Sequence, residues 1–316
     1  MSLWIVGAGP MAVAYADVCT AIDVPFEVIG RGDRSADAFE SETGIVVRRG
    51  GLGHILSNGP SPTSAIVAVD VDGLASAAGL LVGSGVTRIL VEKPGGVDSV
   101  EVRKLARDAK DRGVDVLVGY NRRFLASVSE ARRLIEADGG PKFCTFEFGE
   151  RTNEITDLGL PDRVLDRWFL ANSSHVVDLA FHLIGRPAEL SATTSGGLDW
   201  HPAASRFHGS GTTDRGVTFS YQADWSAPAS WRVEVVTARR TLIFQPLESL
   251  RMVVAGTDSE LEVNLANSGD LDHKPGLLGQ VRAFLVGNDR LLCGIEEQAA
   301  NCETYDRMAG YDNMVS

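Results

Sequence analysis

The sequence predicts an α/β protein in two parts. The first is an N-terminal α/β domain, a doubly wound parallel sheet, over residues 1–120. The second is a C-terminal α+β domain over residues 121–316, carrying a mostly antiparallel open sheet. Three observations predict this. Short aliphatic and β-branched runs alternate with helical stretches from Leu3 to Val118, the pattern of a parallel sheet covered on both faces. A glycine-rich turn, Gly7-Ala8-Gly9-Pro10-Met11-Ala12, follows the first run and opens a helix. Beyond Tyr120 the alternation ends, and strand-like runs gather in the second half.

The elements follow in order. Leu3 to Val6 is the first strand, and a helix runs through Ala21. Phe26 to Ile29 is the second strand. Ser35 to Glu42 is a short helix, and Gly44 to Val47 a third strand. Ala65 to Val69 is the fourth, before an Ala/Leu-rich helix over Leu74 to Val82. Val86 to Val91 is the fifth strand and enters Glu92-Lys93-Pro94-Gly95-Gly96. Ser99 to Arg112 is helical, and Val114 to Val118 is the sixth strand. In the second half, Arg123 to Ala137 is expected as a helix, broken by Asp138-Gly139-Gly140-Pro141. Lys142 to Phe148 alternates as a strand does. His175 to Ile184 is an apolar helix with Asn172, Ser173 and Ser174 as candidate N-caps, stopped by Gly185 and Pro187. Strand-like runs follow at Glu189 to Thr194, Gly216 to Trp225, Trp231 to Val236 and Arg240 to Phe244. Helices close the chain over Leu277 to Val286 and Ile295 to Met308.

A chain of 316 residues is long enough for two cores. A formal net charge of −12 without a basic tract argues against nucleic acid as the main partner. Cys19, Cys144, Cys293 and Cys302 form no Cys-x-x-Cys pair, so neither zinc nor a disulfide framework is expected. No signal-peptide pattern or membrane-length apolar run is read, and a cytoplasmic protein is the expectation.

Four stretches carry chemistry. In Gly7-x-Gly9-x-x-Ala12 the first glycine allows a tight turn, the second lets the backbone approach a pyrophosphate, and the small third residue lets helix and sheet pack closely. Phosphates would sit at the helix N-terminus. After the second strand, Gly30-Arg31-Gly32-Asp33-Arg34-Ser35 has no carboxylate at position 30 and has two arginines, which favours a 2′-phosphate and hence NADP. Asp33 could still reach a ribose. Lys93 stands at the carboxyl end of a buried strand, where open α/β sheets bind ligands. Pro94 biases it towards an extended backbone. His175, Asp178 and His182, spaced i, i+3 and i+7, share one helix face. There Asp178 could hydrogen-bond His182 and set its basicity for proton transfer. A two-histidine, one-carboxylate metal site is the rival. Gly119-Tyr120-Asn121-Arg122-Arg123-Phe124 ends the sixth strand, with Asn121 and one arginine as candidates to face a ligand.

Taken together and in this order, Gly7 to Ala12, Glu92-Lys93-Pro94, Gly119 to Phe124 and His175 to Gly185 resemble the glucose-fructose oxidoreductase / inositol dehydrogenase / MocA family over nearly the whole chain. The resemblance implies a Rossmann domain, an α+β domain whose open sheet mediates homo-oligomers, and reversible NAD(P)-linked oxidation of a sugar or cyclitol hydroxyl. It implies that Lys93 binds the reacting oxygen, that Asp178 and His182 form the proton-transfer site, and that His175 lies on the substrate side. The chain departs from the family before the substrate helix. Trp168-Phe169-Leu170-Ala171-Asn172-Ser173-Ser174 stands where many members carry a Gly-Gly pair. It departs again after the fourth strand, at Val69-Asp70-Val71-Asp72-Gly73.

The expectation is therefore an NAD(P)-dependent oxidoreductase, NADP preferred, acting on a carbohydrate CH–OH group. Lys93, Asp178 and His182 are its catalytic residues. Gly7, Gly9, Pro10, Met11, Ala12, Arg31, Arg34, Glu92, Lys93 and Asn121 are expected at the cofactor. Lys93, Arg123, His175 and His182 are expected at the substrate. No metal and no membrane partner is expected. The alternative is a catalytically inactive dinucleotide-binding sensor or assembly protein.

Overall fold

The structure, a computed structural model, describes residues 2–228, 230–266 and 268–314. In chain order the strands are β1 (Leu3–Val6), β2 (Glu27–Ile29), β3 (Val47–Arg48), β4 (Ser64–Val67), β5 (Arg88–Glu92), β6 (Asp115–Gly119), β7 (Pro141–Phe148), β8 (Pro187–Ser195), β9 (Arg206–Thr213), β10 (Thr218–Asp224), β11 (Trp231–Thr237), β12 (Arg240–Phe244), β13 (Arg251–Val254), β14 (Glu260–Glu262) and β15 (Cys293–Gly294). The helices are α1 (Pro10–Ala21), α2 (Asp33–Thr43), α3 (Leu52–Ser57), α4 (Leu74–Gly83), α5 (Ser99–Arg112), α6 (Ala126–Ala137), α7 (Thr152–Thr156), α8 (Asp162–Leu165), α9 (Ser174–Ile184), α10 (Ser268–Asp272), α11 (Leu277–Val286) and α12 (Ile295–Ala309). None of the described helices is long and apolar enough to cross a membrane.

Two compact units result. The first holds Met1–Asn121 and Asp272–Cys302. Its seven strands lie in the order β15-β6-β5-β4-β1-β2-β3, all pairings parallel except that of β15 with β6. Every residue of β1 and β4 is buried, as expected of strands covered on both faces.

The expected division at residue 120 needs a correction. The first unit runs to Asn121, and residues 272–302 belong to it as well. β15 adds an antiparallel edge through Cys293 opposite Val118 and Gly294 opposite Leu117. α11 buries Leu277, Val281 and Phe284 and lies against α1. α11 covers α1 and β15 extends the sheet edge at β6, tertiary demands that local patterning does not express.

The second unit holds Arg122–Leu271 and Glu303–Ser316. Its eight strands run β14-β13-β12-β11-β7-β10-β9-β8, antiparallel except for β7 with β10. Alternation sorts the two faces. Cys144, Phe146 and Phe148 of β7 are buried, and Phe181 of α9 meets Phe146 and Phe219 edge to face, with centroids 5.6 and 5.2 Å apart. The opposite face is polar, with Thr145, Glu147, Ser220, Gln222, Arg232 and Glu234 around a shallow depression.

Candidate active site

At the end of β1 the chain turns through Gly7, whose N–H donates to the Ile29 carbonyl at 2.9 Å. Its φ is +127°, and a Cβ there would stand 2.2 Å from the Ala68 carbonyl oxygen. Only glycine allows this approach of two strand ends. Pro10 opens α1, Gly9 caps it, and Ala12 is fully buried beneath. A Cβ at Gly9 would meet nothing within 4 Å. The open N–H groups of α1 thus face free space, which is what a pyrophosphate needs.

After β2, Gly30 is hemmed in, since a Cβ would lie 2.6 Å from Val47 Cγ1. Asp33 belongs to α2 and pairs with Arg49 at 3.2 Å, alongside Asp37 and Glu40, both at 2.7 Å. Arg31 and Arg34 are exposed, and neither forms an ion pair among the described residues.

Lys93 is half-buried and sits directly after β5. The turn around it is held from two sides. Glu92 is buried, and Tyr15 Oη donates to its Oε1 at 2.5 Å while Gln280 Nε2 donates to Tyr15 Oη at 2.9 Å. Burial pushes the Glu92 carboxyl above its usual range, against the Tyr15 hydrogen bond and the charges of Lys93 and Lys274. On the other side, Gln298 Nε2 donates to the Pro94 carbonyl at 3.1 Å and to Tyr120 Oη at 2.9 Å. Asn121 is buried, and its Nδ2 donates to the Pro275 carbonyl at 2.8 Å, tying the returning segment to the end of β6.

In the second unit, Arg123 and Asp178 form a bidentate pair. Nε reaches Oδ2 at 2.8 Å and Nη2 reaches Oδ1 at 2.6 Å, with side chains 4% and 2% exposed. The sequence expectation had Asp178 holding His182 and raising its pKa. The structure corrects it. Both Asp178 oxygens are engaged by Arg123, and the His182 imidazole is pushed well below 6.5, first by burial and then by Arg123, Arg132 and Arg215. His182 Nε2 is buried without a hydrogen-bond partner.

A stability consequence follows. With the folded-state pKa below the unfolded value, the unfolded chain binds the extra proton, so stability falls as pH drops below about 6.5. His182→Gln is expected to flatten the fall in thermal midpoint between about pH 7 and 5. An undiminished fall in that variant would place the proton uptake elsewhere.

His175 lies in the first turn of α9, buried, with its ring centroid 5.9 Å from that of Trp231. Arg122 stacks over the same indole at 5.0 Å. The expected N-cap geometry is replaced by a single π-helical turn, Phe169–Ser173, feeding α9. Ser173 makes no cap hydrogen bond, and Ser174 Oγ donates back to the Leu170 carbonyl at 2.7 Å. Asn172 and Ser173 turn instead to Glu150, a buried carboxylate just beyond β7. Sequence reasoning passed over Glu150. A lone carboxylate after a strand carries no spacing signal. Among the described residues, no three of His, Cys, Asp and Glu are grouped so as to hold a metal ion.

No protein-family model matches the chain, and no curated protein matches it. Solved structures do. UDP-N-acetylglucosamine 3-dehydrogenase from Acidithiobacillus ferrooxidans aligns at 17% identity with a TM-score of 0.75, over 98% of this chain and 97% of that one. An oxidoreductase from Agrobacterium radiobacter, in complex with NAD+, L-tartaric acid and magnesium, aligns at 12% identity and TM-score 0.79, over 99% and 97%. Levoglucosan dehydrogenase in complex with NADH and L-sorbose aligns at 15% identity and TM-score 0.78, over 99% and 97%. The chain therefore has the two-domain fold of these oxidoreductases along nearly its full length. This is the fold implied by the resemblance to the glucose-fructose oxidoreductase / inositol dehydrogenase / MocA family.

Proposed function

We propose that the chain is an NAD(P)-dependent oxidoreductase acting on a secondary alcohol or ketone of a sugar, cyclitol or sugar derivative. One observation carries the reading. The parallel sheet ends in an open Gly7–Ala12 turn at β1 and a clamped Glu92-Lys93-Pro94 turn two strands away at β5. Dinucleotide and reacting group belong at that carboxyl edge. The named complexes of the similar proteins with NADH or NAD+ and with L-sorbose point the same way.

Gly7, Gly9, Pro10, Met11 and Ala12 would hold the pyrophosphate, which the free N–H groups of α1 favour. The bound dinucleotide supplies the hydride acceptor or donor. Lys93 stabilises charge on the reacting oxygen. We assign proton exchange to His175 rather than His182. His182 is a weakened base among three arginines, and Asp178 serves the Arg123 pair. The same facts favour a second reading, a dinucleotide-binding protein without turnover. The assay is oxidation of a sugar and cyclitol panel with NADP+ and NAD+. Cofactor binding without turnover on any member would favour the second reading.

We further propose a preference for NADP, because Arg31 and Arg34 are free to meet a 2′-phosphate while Asp33 is engaged by Arg49. NADPH is expected to bind at least about tenfold more tightly than NADH, with Arg31→Ala narrowing the gap. Equal affinities in fluorescence titration of the unmodified protein would refute this. The polar face of the eight-stranded sheet is our candidate homo-oligomer surface. The four cysteines are buried thiols, which supports a reducing compartment such as the cytoplasm.

A further inference from the structure

Resting on that reading, we infer that Asn172, its amide oriented by Glu150, accepts a hydrogen bond from a hydroxyl of the substrate and so sets which sugars the site takes. The argument begins with the buried carboxylate. Glu150 is 5% exposed. Asn172 Nδ2 lies 3.2 Å from its Oε1 and 2.9 Å from its Oε2, and Ser173 Oγ donates to Oε1 at 2.6 Å.

Glu150 accepts at its carboxyl oxygens from the Asn172 amide and the Ser173 hydroxyl. It therefore chooses the NH₂ end of the Asn172 amide, because the flipped amide would set its carbonyl oxygen against two other acceptors. The choice fixes the other end as well. Asn172 Oδ1 must point away from Glu150. Asn172 is half-buried, and among the described residues nothing donates to this oxygen. A half-buried carbonyl oxygen in that position is an acceptor open to a donor from solution.

Its place is equally specific. Asn172 belongs to the π-helical turn that delivers the chain into α9, three residues before His175. Turns of this kind recur at functional sites. A sugar hydroxyl presents both a donor and an acceptor. A fixed lone acceptor reads the donor, and it discriminates against a position that is deoxygenated, methylated or oxidised to a ketone. Glu150 is the positioning residue of the pair, and Asn172 the one that touches substrate. Glu150→Gln would let the neighbouring amides exchange ends, because a glutamine offers both donor and acceptor.

The experiment uses the full-length protein with the sugar from the panel that it oxidises fastest, together with every monodeoxy and mono-O-methyl analogue of that sugar. In the unmodified protein, one ring position is expected to be intolerant, with kcat/KM lowered about tenfold or more. Asn172→Ala should lower kcat/KM for the parent sugar by a similar factor and cost nothing further for the analogues altered at that position. Glu150→Gln should weaken the same discrimination, and Glu150→Asp should retain more of it. A general loss of folding would lower all analogues together. If Asn172→Ala lowers parent and every analogue in the same proportion, the inference is overturned while the proposed function stands. If the unmodified protein binds NADPH but oxidises nothing in the panel, the proposed function fails and takes this inference with it.

Discussion

Arg123→Met is expected to destabilise the protein by about 3–5 kcal/mol, the cost of leaving a buried carboxylate without its partner. Asp178 is 2% exposed, so water cannot replace the guanidinium. Asp178→Leu should be costly for the reciprocal reason. Combining the two, Arg123→Met with Asp178→Leu, should recover most of the loss, since the pair is then exchanged for apolar contact. Chemical denaturation of the four proteins checks this. If Arg123→Met costs under about 1 kcal/mol, the Asp178 charge is satisfied by other means. The expectation is also a statement about role. The expected loss treats Asp178 as the anchor of Arg123, with one hydrogen bond at each carboxylate oxygen.

Lys93→Met is expected to lower kcat by about 10²–10³ while leaving NADPH affinity within about twofold, the pattern of an interaction made chiefly with developing charge in the transition state. Side chains other than Lys93 clamp the Glu92-Lys93-Pro94 turn: Tyr15 and Gln280 act on Glu92, and Gln298 acts on Pro94. Removing the charge should therefore leave the turn in place. Fluorescence titration of NADPH and steady-state rates on the best sugar measure the two quantities. A kcat preserved within about threefold, under about 1 kcal/mol of barrier, would remove Lys93 from the catalytic residues.

The parallel sheet was legible because strands buried on both faces must be apolar throughout, as in Leu3 to Val6, and because Gly7-x-Gly9 punctuates the first of them. Strand β9 was not. Its sequence, Arg-Phe-His-Gly-Ser-Gly-Thr-Thr, holds two glycines, which weaken any strand signal. The fold explains them. A Cβ at Gly211 would stand 1.9 Å from the Glu189 carbonyl oxygen and 2.9 Å from the Phe219 ring. Those neighbours lie on other strands, out of reach of local reading. The helix face bearing His175, Asp178 and His182 followed from spacing alone, but the partner of Asp178 did not. Arg123 is 55 residues earlier, and nothing in the helix names it. The spacing said which side chains share a surface, and it left open which charge would claim the carboxylate first.

The return of residues 272–302 to the first unit bears on how such a chain can be divided. A piece ending at Asn121 would lack Gln280 for Tyr15 and Gln298 for Pro94, and the edge of β6 would lose Cys293 and Gly294. The half that carries the parallel sheet is thus discontinuous along the chain: residues 122–271 interrupt it, and from Glu303 the chain leaves it again for the second unit. A minimal version of that half is a splice of residues 2–121 to 272–302, not a truncation at the first boundary.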